Sequence, residues 1–162
     1  MEWAYTVVVI LVLCFGLVVF FGPPYLPTLT SHMNLALDML ALKKGDTMLE
    51  LGCGDGRVLI AAAKRGWNVV GYELNPLLVL LCRIRTWRYR RQVRVVWGNF
   101  WLGTWPPADG IFGFVLPKYM TKLDKRIVQW HGKPVRLASF AFAIPGRKPL
   151  RTENGVFLYE YK

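Results

Sequence analysis

Residues 47–57 read TMLELGCGDGR, and both the residue types and their spacing describe a place for a ligand. A β-rich apolar run ends in Glu50-Leu51 and opens into Gly52, Gly54 and Gly56, after which a helix-like run, VLIAAAKRG, begins at once. Glycines let a backbone approach a ligand closely, and the unpaired N–H groups at a helix start can face it. Seventeen residues past Gly56, Glu73 closes a second strand-like run, where an acid is placed to accept hydrogen bonds from ribose hydroxyls. Taken singly, each glycine is a plain turn and Glu73 a solvated strand end; their common register is what makes a site. Arg57 stands where the dinucleotide pattern G-x-G-x-x-G needs its last glycine. Glu50, Asp55 and Glu73 put three carboxylates around one cleft of a basic chain, which suits a cationic, ribose-bearing ligand and would repel a pyrophosphate. Cys53 has no activating base in view and reads as a small turn-filler. No Ser-His-Asp set, carboxylate pair or metal-ligand cluster appears, so no metal is expected and no catalytic residue is assigned.

The elements that must position these groups follow from the hydrophobic pattern. Strands are expected near 47–51, 67–72, 93–97, 110–116, 134–142 and 155–161, with helices near 56–65, 76–90 and 118–130. Such alternation implies an α/β fold, a mostly parallel sheet with helices on both faces. Pro145–Asn154 has no helical period and Asn154-Gly155 signals a turn, so the last strand is expected to be antiparallel. Binding then falls at the carboxyl ends of strands one and two, beside the switch in strand order. Ahead of the sheet, Ser31 is placed to cap HMNLALDMLAL, with Met33, Leu37 and Leu40 as its apolar stripe and Lys43-Lys44-Gly45 as its close. His32, near its start, reads as a surface residue.

The 162 residues suffice for one domain with a real core, and the formal charge is +11. Every Lys and Arg lies at or after Lys43, so residues 43–162 hold 21 basic against 8 acidic side chains, a balance that favours anionic partners. Arg83, Arg85, Arg88, Arg90, Arg91 and Arg94 crowd the end of the helix near 76–90. Leu77, Leu81, Ile84 and Trp87 are expected to be its buried stripe, leaving the arginines on the exposed side. Trp3–Phe21 is uncharged and nearly all apolar, long enough to cross ~30 Å of hydrocarbon, and Glu2 and the following GPPYLP do not suit a cleaved signal peptide. The expectation is a single N-terminal transmembrane helix. The domains are then a transmembrane anchor at 1–22, a Pro-rich linker and helix at 23–45, and a folded domain at 46–162 facing the cytoplasm. The arginine face would lie toward anionic lipid, with RNA the alternative. Trp97, Phe100, Trp101 and Trp105 either pack at the sheet edge or form an interfacial or substrate rim. Cys14 lies in the span, Cys53 in the turn and Cys82 in a helix, an odd set that agrees with a reducing compartment.

The acid-x-Gly-x-Gly-x-Gly form, with an acid after strand two, resembles the class I, Rossmann-like S-adenosyl-L-methionine-dependent methyltransferases. The combination of PYLPT (Pro24–Thr28), LELGCGDGRVLIAAAKRG (Leu49–Gly66) and GYELNP (Gly71–Pro76) resembles the small membrane-anchored protein-lysine methyltransferases of the ATP synthase c-subunit and adenine nucleotide translocase type and their bacterial relatives. The resemblance spans roughly residues 24–162. It implies a protein-lysine N-methyltransferase acting on a membrane or membrane-associated protein. It implies S-adenosyl-L-methionine as cofactor, with Glu50, Gly52, Cys53, Gly54 and Asp55 along its methionine part. Glu73 would hold the ribose, Leu74, Asn99 and Phe100 the adenine, and Tyr25 and Thr28 would close over the methionine end. The substrate pocket would be walled by Leu116, Pro117 and Tyr119. Where many amine methyltransferases carry a polar Asn/Asp-Pro-Pro-aromatic run, this chain has Phe114-Val115-Leu116-Pro117. A methyltransferase of a small molecule, lipid or RNA, or a silent cofactor-binding module, is the alternative.

Overall fold

Five parallel strands carry the glycine turn at their centre: β1 (Thr47–Leu51), β2 (Asn68–Glu73), β3 (Val93–Trp97), β4 (Gly110–Gly113) and β5 (Val135–Phe140). The computed structural model describes residues 2–9, 12, 29–130 and 134–162. Two further strands, β6 (Arg151–Glu153) and β7 (Val156–Tyr161), complete a seven-stranded sheet in the order β3-β2-β1-β4-β5-β7-β6. β7 is antiparallel to both β5 and β6, so the fold is a Rossmann-like α/β sheet with a reversed strand. β6 is not expected from the sequence. Its three residues, Arg-Thr-Glu, are exposed or half-buried, and only the turn at Asn154 and Gly155, both at positive φ, returns them onto β7.

Strand alternation divides the interior into two layers. Met48, Val69, Phe112, Ala138, Val156 and Leu158 face one side, covered by α1 (Thr30–Leu40), α2 (Arg57–Lys64) and α3 (Pro76–Thr86). Leu49, Leu51, Tyr72, Ile111, Leu137 and Tyr159 face the other, covered by α4 (Pro117–Gln129) and the segment carrying Trp105 and Ala108. α1 packs over β5 and β7. It starts one residue ahead of the expected Ser31 cap, with no side-chain cap, and closes at Ala41 in the left-handed conformation. On the second face, Arg126 of α4 donates to the carbonyls of Trp101 and Gly103 and lies over the Trp105 ring. That holds the β3–β4 segment in place without a helix of its own.

Two expectations need correction. Among the described residues no helix is long and apolar enough to cross a membrane. Residues 2–9 are helical, and most of the rest of Trp3–Phe21 lies outside the described residues. The transmembrane helix is therefore without support, and the single-pass, cytoplasm-facing placement inferred from it falls too. The second correction is rotational. α3 buries Leu78, Val79, Cys82 and Thr86, whereas Leu81, Ile84 and Trp87 are exposed. Its sequence PLLVLLCRI is apolar nearly all round, so periodicity cannot choose a face. Close packing chooses it: a Cβ at Gly56 would stand 2.6 Å from Cys82 Sγ, so only a small side chain fits beneath the turn. The helix ends at Thr86, and a single 3₁₀ turn, Trp87–Tyr89, follows.

The same closeness governs β2. A Cβ on Gly71 would lie 2.8 Å from Cys53 Cβ and 2.9 Å from both Cys53 Sγ and Leu59 Cδ1. We expect Gly71→Ala to lower the unfolding free energy by about 1–3 kcal/mol through overpacking. Gly103→Ala, with nothing nearer than 3.7 Å, should stay within about 0.5 kcal/mol in the same chemical denaturation series.

Candidate ligand site

β1 delivers its chain to the carboxyl edge of the sheet between β2 and β4, where the strand order reverses. There Gly52, Gly54 and Gly56 take φ of 90°, 50° and 80°, a run of left-handed backbone that other residues adopt at a cost. Gly52 and Cys53 N–H groups both donate to the Tyr72 carbonyl, at 3.0 and 2.8 Å, which lashes the turn to the end of β2. A Cβ added to Gly52 would meet nothing within 4 Å, so the turn opens onto free space.

Glu73 is buried and is the tie between the two turns of this edge. Its Oε2 accepts the Gly54 N–H at 2.9 Å, and its Oε1 accepts those of Leu74 and Asn75, each at 2.9 Å. A carboxylate has room for about four such bonds, so capacity remains on Oε2 for a hydroxyl donor. Asn75, buried, then caps α3 by accepting from Leu77 at 2.9 Å. The Leu74 carbonyl accepts the indole N–H of Trp97 at 3.1 Å, tying β3 to the same turn.

Glu50 and Asp55 are both buried acids, yet their surroundings treat them in opposite ways. Glu50 Oε2 has no hydrogen-bond partner. Burial above all, then Cys82, Glu73 and Asp55 nearby, push its carboxyl well above the ordinary range. Asp55 also meets a burial penalty, but two guanidiniums outweigh it and hold its carboxyl below the ordinary range. Arg57 donates from Nε at 3.1 Å and from its terminal nitrogen at 3.0 Å, and Arg85 of α3 reaches in from the other side. Sequence reasoning misses the Arg57–Asp55–Arg85 cluster, since Asp55 and Arg85 lie 30 residues apart. Of the arginine run, Arg85 thus serves the glycine turn, Arg83 donates to the Val95 carbonyl at 3.3 Å, and Arg90 lies 5.0 Å over the Trp87 ring.

Cys53 Sγ lies 3.9 Å from Cys82 Sγ, both buried and unoxidised. That contact and burial push the Cys53 thiol well up, away from a nucleophilic thiolate. Asn99 Oδ1 accepts the Trp101 N–H at 2.9 Å in the turn after β3. Phe100, Trp101 and Tyr119 form a chain of rings with centroids 4.7 and 5.9 Å apart, so the expected adenine neighbour and the expected pocket wall are linked through Trp101. Leu116 and Pro117 stand at the N-terminus of α4. Tyr25 and Thr28 lie outside the described residues. Among the described residues no cluster of potential metal ligands occurs. A groove of about 520 Å³ along α4 is lined by Lys118, Thr121, Lys122, Lys125, Arg126 and Gln129, and so includes none of the glycine-turn residues.

An unpartnered buried carboxylate, an open glycine turn and a carboxylate with spare acceptor capacity match a ligand that is cationic at one end and bears a ribose. A family model described as the ANTKMT methyltransferase domain matches residues 50–151. The human lysine N-methyltransferase of the ATP synthase c-subunit is 32% identical over 128 residues, 78% of this chain and 54% of that protein. The mouse adenine nucleotide translocase lysine N-methyltransferase is 28% identical over 130 residues, with 78% and 56% covered. The chain thus spans about half the length of these two relatives. A protein-lysine N-methyltransferase of Saccharolobus islandicus is 30% identical over 149 residues, covering 84% of this chain and 92% of that one. Among solved structures, an RNA methyltransferase from Salinibacter ruber in complex with S-adenosyl-L-homocysteine superposes with a TM-score of 0.76 at 24% identity, over 84% of this chain and 92% of that one, a likeness of fold.

The two acids should move stability in opposite directions. The low carboxyl of Asp55 contributes stability above the ordinary carboxylate range that is lost as pH falls through its folded value. Asp55→Asn should therefore cost about 1–3 kcal/mol at neutral pH, a difference that closes in acid. Glu50, raised when folded, ionises more readily in the unfolded chain, so rising pH favours unfolding. Glu50→Gln should stabilise the ligand-free protein increasingly as pH rises. Denaturant titrations at several pH values check both.

Proposed function

The chain belongs to the ANTKMT methyltransferase family, and we propose that it is an S-adenosyl-L-methionine-dependent N-methyltransferase acting on a lysine of a protein. The observation that carries this reading is the buried Glu50, whose Oε2 has no hydrogen-bond partner, beside an open glycine turn. The names of the lysine methyltransferases that share its sequence support the choice of acceptor.

On this reading Glu50, Gly52, Cys53, Gly54 and Asp55 flank the methionine part of the cofactor, and Asp55 acts through its two arginines to hold the turn. Glu73 takes a ribose hydroxyl on its remaining acceptor site, Leu74 packs against the adenine, and Asn99 and Phe100 bound its far side. The bound cofactor supplies a methyl group already activated by its sulfonium. The chain's own task is to hold an amine in line with that methyl, which can account for much of a rate enhancement, and to keep water away. An amine must be neutral to attack, and a low-dielectric pocket favours that form.

A positive charge near Glu50 lowers its carboxyl from the raised ligand-free position, so cofactor binding should release a proton and tighten as pH rises. Calorimetry in buffers of different ionisation enthalpy should show that release for the wild type and its loss, with weaker binding, for Glu50→Gln. Glu73→Ala and Gly54→Arg should each abolish binding while the circular dichroism spectrum persists. Unchanged affinity in both would sink the site. Labelled-methyl transfer onto protein extracts, followed by mass spectrometry of the product, tests the lysine acceptor.

A further inference from the structure

Four rings meet at the carboxyl edge of β4 and β5, beside the glycine turn. Phe114 stands edge-on to Phe140 with centroids 5.2 Å apart and stacks on Phe142 at 6.0 Å. His32, from the first turn of α1, lies 4.9 Å from the Phe140 ring. None of the four is sealed in the core and none is fully exposed. Strand register fixes where they sit. Leu51 pairs with Gly113, and Gly113 with Ser139. Phe114 therefore leaves the sheet one strand from Gly52, about 5 Å, and Phe140 two strands away, about 10 Å. The open side of Gly52 and these rings share one edge.

The rings are held by a built turn. Ala141, between Phe140 and Phe142, has φ of 66°, in the left-handed region that only glycine adopts freely. The Ser139 hydroxyl donates to the Phe142 carbonyl at 2.8 Å, and the Ala141 N–H donates to the Gly155 carbonyl at 2.8 Å. Backbone strain of this kind persists where the surroundings over-determine it, and it gathers at ligand sites. The sharpest observation is polar: His32 Nδ1 is buried and has no hydrogen-bond partner. Buried polar atoms are nearly always paired, so an orphan on a ring 4.9 Å from Phe140 marks the place of a missing partner. The β4 exit, Phe114-Val115-Leu116-Pro117, brings no polar side chain of its own.

We propose that His32, Phe114, Phe140 and Phe142 form the acceptor-amine subsite. This rests on the methyltransferase reading and adds the residues that receive the lysine. The ring faces take the alkyl stem and its cationic head. With its own proton on Nε2, the imidazole presents a free lone pair at Nδ1. An ammonium N–H donates to Nδ1; as the nitrogen attacks, that N–H bond breaks, an Nδ1–H bond forms and the ring becomes imidazolium. The pair freed on nitrogen makes the new bond to the methyl carbon, and solvent later takes the proton from the ring.

The test uses the full chain saturated with S-adenosyl-L-homocysteine and titrated with Nα-acetyl-lysine methylamide. NMR follows the His32 ring signals, identified by their loss in His32→Gln. The lysine probe should move them saturably as a hydrogen bond to Nδ1 forms. The Nε-trimethyl form of the probe, which has no N–H to give, should bind without that shift. Phe140→Ala, and Phe142→Leu as a milder variant that keeps apolar bulk but no ring, should each weaken the lysine probe about tenfold. Affinity for S-adenosyl-L-homocysteine should not change in either. A lysine probe that leaves the His32 signals in place, or that binds both phenylalanine variants as tightly as the wild type, overturns the subsite. Wild-type protein that takes up no S-adenosyl-L-homocysteine overturns the methyltransferase reading itself, and shows it before any amine is added.

Discussion

The Glu73 carboxylate accepts three backbone N–H groups, one from the turn after β1 and two from the turn after β2. Those turns leave neighbouring parallel strands, and nothing in a sheet ladder fixes how their exits stand relative to one another. One buried anion does so, by taking backbone N–H donors from the two turns that lead into the following helices. The left-handed Gly52, Gly54 and Gly56, the Asn75 cap on α3 and the close seat of Cys82 beneath Gly56 all adjoin that tie. A basic chain with few acids has placed one where it is both structural and available to a ligand.

Charge is distributed around this edge with a consistent logic. Asp55 is neutralised twice over, so it stiffens the turn and adds little field to the cleft. Glu50 is left without a counter-charge under a raised carboxyl, which holds the ligand-free protein in a less favourable state that a cation relieves. Stability withheld in one state and recovered on binding is a common feature of ligand sites. The basic side chains along α4 line a groove of their own, apart from the glycine turn.

Much of this is legible in the order of residues alone. β1, β3 and the glycine turn fall at the expected residues because an apolar β-rich run and a Gly-x-Gly-x-Gly break are local signals. What fails is non-local or degenerate. The face of α3 cannot be read because Leu77, Leu78, Leu80 and Leu81 satisfy two helical stripes equally, and the choice is made by a cysteine fitting under a glycine of another element. Arg85 looks like one of six surface arginines, since its partner Asp55 is distant in sequence. β6 is too short and too polar to announce itself. His32 reads as a surface residue because nothing local reveals that the end of β5 curls back to meet it. The apolar N-terminal stretch shows the opposite error: composition alone suggests a span that no described helix supports.

β7 occupies a slot between β5 and β6. A ribosome makes the strand that fills this slot after both of its neighbours, so vectorial synthesis leaves β5 as a bare edge until late. α1, among the earliest described elements to emerge, rests partly on β7 and waits with half its floor missing. The nascent chain can build the glycine turn and its three-strand surround before β7 is made, but the half of the sheet beneath α1 closes only once β7 arrives. The sheet beneath α1 is thus bound to a long-range contact with a strand made after both of its neighbours, the kind that slows folding and leaves a strand unpaired meanwhile.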